Sequence, residues 1–137
     1  MTNAAPYIRT GFRTVTPYLI VHQVTRVIDF MMDVFRAEEL RRDLYPDGTI
    51  MNIEMRLGDS IIELAEASTV WPAMPSGLHV YVPNTDETFQ RAIAAGAQEL
   101  YAPAEMPYGE RSAGVKDLSG NHWYIATYHL DQSTSQP

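Results

Sequence analysis

The side chains able to do chemistry in this chain are carboxylates, imidazoles and phenols. There is no cysteine, so thiolate nucleophiles, thiolate metal sites and disulfides are excluded together. The four histidines, His22, His79, His122 and His129, are scattered, and scattered imidazoles do not define a catalytic triad. No Gly-x-Ser-x-Gly elbow is present. The eight glycines are scattered and read as separate turns, so no glycine-rich loop to cradle a phosphate is expected. What remains is Asn52, Glu54, Glu63, His79, Tyr81 and Tyr124, all on strand-like segments. Such groups stack on flat rings and accept hydrogen bonds from cationic or N–H donors.

Strand alternation predicts where these side chains point. Leu78, Val80 and Val82 are uniformly aliphatic and suit packing against a helix, which turns His79 and Tyr81 to the other face. In the last strand His122 and Tyr124 share that face, while Trp123 and Ile125 go to the helix side. In an earlier hairpin Ile61, Glu63 and Ala65 share one face. Asn52, Glu54 and Arg56 form a polar set opposite Met51, Ile53, Met55 and Leu57. The predicted cavity lining is therefore Asn52, Glu54, Glu63, His79, Tyr81 and Tyr124, with Trp71 and Tyr108 as candidates from loops. A filled second core or a dimer interface would present the same pattern. Arg111 is expected to pair with Glu54, Glu110 or another surface group.

The elements that must position these residues occur twice. Residues 1–14 read as an N-terminal arm, with Tyr7, Ile8 and Phe12 available for packing, on a partner subunit among other places. Val15 to His22 reads as a strand, with Pro17 marking an edge or a strand start. Thr25 to Glu39 reads as a helix, because Val27, Met31, Val34 and Phe35 fall on one face of a 3.6-residue period, and Thr25 is its expected N-cap. Strands follow over Glu39 to Tyr45, Thr49 to Leu57 and Ser60 to Ala65, separated by Pro46-Asp47-Gly48 and Gly58-Asp59. Residues 67–77, rich in proline and holding Trp71, read as a connector. Leu78 to Val82 is the next strand. Asn84 then opens a helix with a capping-box pattern through Glu87, and Gly96 stops it. Strands at Glu99 to Pro103, Met106 to Val115 and His122 to Tyr128 complete the second series, the last two joined by the turn Asp117-Leu118-Ser119-Gly120-Asn121.

Each series is β-α-β-β-β. Phe30 and Glu63 are 33 positions apart, and Phe89 and Tyr124 are 35 apart, as an internal repeat requires. The expected fold class is α+β: two β-α-β-β-β modules, over residues 15–66 and 78–129, forming a curved mixed sheet around a cavity with helices outside. Residues 130–137 are polar and expected to be a flexible tail.

Ten basic against seventeen acidic residues leave a net charge of −7. An acidic domain repels a phosphate backbone, so nucleic acid is not an expected partner. No apolar run approaches the ~20 residues of a membrane span. No apolar signal segment occupies Met1 to Thr10, so no membrane partner and a cytoplasmic location are expected.

Thr16-Pro17-Tyr18-Leu19 with Ile28-Asp29-Phe30-Met31 through Val34-Phe35, the hairpin from Ile50 to Ser60, and Tyr108-Gly109-Glu110-Arg111 with Val115, Asp117 and Gly120-Asn121-His122-Trp123 are fold motifs. Together they resemble the vicinal oxygen chelate superfamily over residues 15–128, and its PhnB-like branch in particular. That superfamily holds glyoxalase I, fosfomycin-resistance enzymes, ring-cleaving dioxygenases and bleomycin-binding proteins. The resemblance implies metal-ligand positions near Thr16 or Pro17, at Glu63, near Gly77 and at Tyr124. Pro17 and Gly77 offer no side-chain donor, and Tyr124 stands where a carboxylate is expected. Metal sites use imidazole or carboxylate donors, usually three or more. No metal and no cofactor are therefore expected. A site built from Glu63 and His79, helped by His22 or His122, is the competing arrangement.

By analogy with the bleomycin-binding members, the resemblance implies a metal-free homodimer that sequesters an aromatic or cationic natural product. A small-molecule or peptide ligand in antibiotic self-resistance is the expected case, with binding rather than catalysis as the activity. The competing expectation is a metal-dependent lyase, isomerase or transferase of the same superfamily. A third is a metal-free enzyme with Glu63 as base.

Overall fold

The structure is a computed structural model that describes residues 5–129. The tail expected over 130–137 lies outside the described residues. The order of elements is β1 (Tyr18–Val21), α1 (Val24–Phe35), β2 (Glu38–Leu44), β3 (Ile50–Leu57), β4 (Ser60–Glu66), β5 (Gly77–Tyr81), α2 (Thr85–Ala94), β6 (Gln98–Glu105), β7 (Glu110–Lys116) and β8 (His122–Tyr128). The chain is α+β and consists of two β-α-β-β-β modules. The strands form two four-stranded mixed sheets, one per module, ordered β1-β4-β3-β2 and β5-β8-β7-β6, rather than one continuous sheet. In each half the first strand runs parallel to the last, because a helix connects it across the sheet, and the remaining pairs are antiparallel hairpins.

Alternation places one face of each half-sheet in a common core. Leu19, Val21, Ile53, Met55, Ile62 and Leu64 of the first half, and Val80, Ala113, Val115, Trp123 and Ile125 of the second, bury against the apolar faces of α1 and α2. Trp123 is fully buried and packs on both α1 phenylalanines, with ring centroids 5.7 Å from Phe30 and 5.2 Å from Phe35. Its indole Nε1 donates to Asp117 Oδ2 at 2.8 Å. The Asp117 carboxylate also accepts from Ser119 N, Asn121 N and Asn121 Nδ2. The turn is thus held from inside by one buried anion. Arg91 of α2 donates through Nε and Nη2 to the Val34 carbonyl at 3.1 and 2.9 Å, which ties the helices together.

Several boundaries differ from the sequence expectation, each for a local reason. Helix α1 begins at Val24, not after a Thr25 cap. Gln23 is its N-cap in a left-handed conformation and makes no side-chain cap bond. The cap comes from a distant strand: Glu66 Oε2 and Oε1 accept from Gln23 N and Val24 N, both at 2.9 Å. A carboxylate there also complements the helix dipole. The helix ends at Phe35 rather than Glu39, because Arg36 takes φ 61° and ψ 33° and turns the chain into β2. No glycine marks that stop. Strand β1 starts only after Pro17, whose carbonyl accepts from Glu63 N at 2.9 Å. Strand β7 starts at Glu110 rather than Met106, after a turn in which Gly109 N donates to the Met106 carbonyl. Strand β6 runs past Pro103 to Glu105, which its edge position and irregular register permit. The Asn84 cap is as expected, with Oδ1 accepting from Glu87 N at 3.0 Å. Among the described residues no helix is long and apolar enough to cross a membrane.

Two stability effects follow. Asp117→Ala orphans several buried donors and is expected to lower the unfolding free energy by at least ~3 kcal/mol in urea denaturation. Glu66→Ala removes only a helix cap and is expected to cost about 1–2 kcal/mol in the same measurement.

Candidate functional site

The predicted lining residues gather on the sheet faces opposite the helices, in two groups. On the first half-sheet, Glu54 of β3 and Glu63 of β4 are direct cross-strand partners. Asn52 Nδ2 donates to Glu63 Oε1 at 3.0 Å. Glu54 is buried although charged. The N-terminal arm lies over this group, and a cavity of about 330 Å³ is lined by Tyr7, Arg9, Phe12 and Arg13 above and by Glu54 and Glu63 below.

On the second half-sheet, His79 of β5 pairs in register with Tyr124 of β8. Tyr124 Oη lies 3.0 Å from His122 Nδ1. Tyr81 donates its hydroxyl to Glu110 Oε2 at 2.5 Å, and His79 Nε2 lies 3.4 Å from Glu110 Oε1. The His79 and Tyr81 rings meet edge-to-face with centroids 4.8 Å apart. The Tyr101 ring of β6 packs against Gly114, where a Cβ would sit 2.5 Å from it, and its hydroxyl is 2.7 Å from Ser112 Oγ. A glycine at this place lets an aromatic ring rest on the sheet itself.

A cleft joins the two modules at their first strands. A cavity of about 580 Å³ is bounded by Tyr18 of β1, by the Gly58-Asp59 turn, and by Ser76, Gly77, His79 and Tyr81. Trp71 is in a tight turn of the connector, where its backbone N–H donates to Ser68 Oγ, and its ring is exposed. The structure does not bring it to either group. Tyr108 is exposed on the turn before β7.

Sequence reasoning passed over Glu110. It is 8% exposed, and its carboxylate organises the second face. Its alternation with Ser112 and Gly114 on β7, small residues on the same face as Tyr124, was the available signal. Arg111 pairs with neither Glu110 nor Glu54. It alternates to the other face and bonds Asp86 Oδ1 and Oδ2 at 2.5 and 2.9 Å and Glu105 at 3.3 Å. The hydrogen bond from Arg111 holds the Asp86 carboxyl below its usual range.

A family model described as the Glyoxalase/Bleomycin resistance protein/Dioxygenase superfamily matches residues 12–125. The chain belongs to this superfamily. An uncharacterised Mycobacterium bovis protein is 31% identical over 121 residues, covering 80% of this chain and 80% of that protein. An uncharacterised protein of Mycobacterium tuberculosis strain H37Rv is 31% identical over 121 residues, covering 80% of this chain and 71% of that protein. TioX from Micromonospora sp. ML1 superposes with a TM-score of 0.67 at 25% identity, over 88% of this chain and 99% of that one. A PhnB protein from Bacillus cereus shares the fold, with a TM-score of 0.62 at 13% identity, over 84% of this chain and 99% of that one.

Metal-using members of the superfamily set a donor test that this chain's residues do not meet. Of the ligand positions, Glu63 is bonded to Asn52, and Tyr124 is a phenol against His122. Gly77 brings no donor, and a Cβ there would make ordinary van der Waals contact with the Tyr124 ring at 3.6 Å. Among the described residues no group of three or more His, Cys, Asp or Glu converges as a metal site would need.

The Tyr81 hydroxyl is held above the ordinary phenol range, first by its hydrogen bond to Glu110 and then by burial and the Glu110 charge. Because the folded value is raised, this bond stabilises the fold fully below about pH 10, the unfolded phenol value, and is lost as pH rises through the folded value. Absorbance titration of phenolate is expected to show one tyrosine ionising late. Glu110→Gln moves that ionisation to lower pH, and an unchanged titration curve would remove the bond from the account.

Proposed function

We propose that the chain binds and sequesters a bulky aromatic or cationic small molecule, a natural product or peptide, on the tyrosine-lined face of the second half-sheet. The observation that carries this reading is the ring set around one buried carboxylate. Tyr81 and His79 meet Glu110 directly, Tyr128 is its cross-strand partner, and Tyr124 extends the ring set beside His79; Tyr81, Tyr108 and Tyr128 are more than half exposed. Flat rings in a ligand stack on such a surface, and Glu110 and the phenol oxygens accept from its N–H donors. The unmatched metal donor set supports binding without a metal; the absence of any other cofactor and an antibiotic-sequestering role belong to the same proposal.

The working form in this proposal is a homodimer. The second face is open, and a second copy laid over it converts an exposed surface into a groove able to enclose a ligand. A net charge of −7 favours neutral or cationic ligands over nucleic acid. A cytoplasmic setting without membrane attachment is part of the same reading.

Calorimetric titration against glycopeptide and depsipeptide antibiotics tests this. One class is expected to bind with Kd of about 1 μM or tighter. Tyr81→Ala and Tyr124→Ala are each expected to weaken that binding by about 10-fold or more. Heats of dilution alone across both classes would overturn the proposal. Sedimentation of the free and bound protein reads the dimer.

A further inference from the structure

The first half-sheet holds a charge arrangement that the tyrosine face does not use. Glu54 and Glu63 stand directly opposite each other on β3 and β4. Like charges at directly opposed strand positions repel. Glu63 has a partner in Asn52. Glu54 is 8% exposed, lines the cavity beneath the arm, and has no hydrogen bond or ion pair among the described residues. Its other cross-strand neighbour is Arg41 of β2, whose guanidinium is turned to Asp43 at 3.3 Å. A buried carboxylate left without a partner is costly, and a cation brought to it offsets that cost.

The cover of this cavity has the complementary chemistry. The first carboxylate in the sequence is Asp29, so the arm is basic throughout. It brings Arg9, Arg13, Tyr7 and Phe12 over the carboxylate pair, with Arg9 stacked 5.9 Å above the Phe12 ring. Phe12 N donates to the Arg9 carbonyl at 2.9 Å, closing a turn. Gly11, at φ 89°, makes that turn against the sheet, and a Cβ there would touch Ile61. The chain thus brings a guanidinium beside an aromatic ring into the lining of the cavity that holds the two carboxylates.

The geometry points to a second binding site, distinct from the tyrosine face: Glu54 and Glu63 form a receptor for a planar organic cation, an aromatic amidine or guanidine, and residues 5–14 are its tethered competitor. Side-by-side carboxylates match the parallel N–H groups of an amidinium. Tyr7, Ile8 and Phe12 supply the apolar walls for its ring. About 330 Å³ is at the lower end of small-molecule pockets and fits a single substituted ring. A tether keeps the arm at a high local concentration, so a free cation binds only against that competition. This site lies on the first half-sheet and does not rest on the reading of the second.

The test is fluorescence titration of the full chain with 4-aminobenzamidine, and with the neutral 4-aminobenzamide as control. The amidine is expected to bind and the amide to bind at least ~10-fold more weakly, since only the amidine offers a charge-assisted pair. Glu54→Gln weakens amidine binding by about 10-fold or more, and Glu63→Gln does the same. The double variant Arg9→Gln with Arg13→Gln strengthens it by ~10-fold, because the competitor is weakened. Circular dichroism and thermal melting confirm the fold of each variant. Glu54→Gln is expected to melt no lower than the parent, since it removes a like-charge contact. Equal binding of amidine and amide, no binding of either, or unchanged affinity in both glutamine variants overturns the receptor. Unchanged or weaker binding in the arginine double variant overturns the arm's role as competitor.

Discussion

The contact on which the rest of the structure depends is the Trp123 indole between the two modules. It lies in the last strand of the second module, yet its ring packs on Phe30 and Phe35 from the helix of the first. One helix and four strands bury too little apolar surface to stand alone, since small units are limited by surface-to-volume scaling. Sharing a core resolves that. Asp117 holds the indole by its N–H and the preceding turn by its backbone, so the closing hairpin and the module interface are set by one residue pair.

The repeat also explains how the two faces came to differ. Glu54 faces Glu63 in the first half, and Gly114 faces Tyr124 in the second, at corresponding places of the two modules. Tyr18 beside Glu63 corresponds likewise to His79 beside Tyr124. The same spot on each half-sheet is covered, but by different means. In the first module the arm lies over a carboxylate pair; in the second a tyrosine ring rests on a glycine. One scaffold therefore offers an anionic pocket and an aromatic surface, with the difference written in side chains that leave the strand pairing unchanged. Membership of the superfamily establishes the scaffold, and the chemistry belongs to these faces.

Local periodicity was legible before any coordinates. The period of two along the strands placed Leu78 and Val80 toward the core and His79 and Tyr81 away from it. It likewise separated Trp123 from Tyr124. The 3.6-residue period found α1, and the turn chemistry of Asp117 to Asn121 and the Asn84 cap that opens α2 were readable because their bonds join residues a few positions apart. Order alone revealed the repeat, and with it the α+β class and the two modules.

What tertiary structure alone decided are the contacts between residues far apart in the chain. The cap of α1 is a carboxylate more than forty residues away, so Thr25 beside the helix was the wrong candidate. Arg36 adopts a left-handed stop that no glycine announces, because packing of Ala37 and the next strand fixes it. Glu110 and Tyr81 meet across two strands that are not neighbours, and no spacing rule couples them. The seat of the arm over Glu54 and Glu63 is of the same kind. Sequence determines which face of a strand a side chain takes, because alternation is a property of one strand. Which groups then share that face depends on how strands and arm are brought together, and that is decided only when the core closes around Trp123.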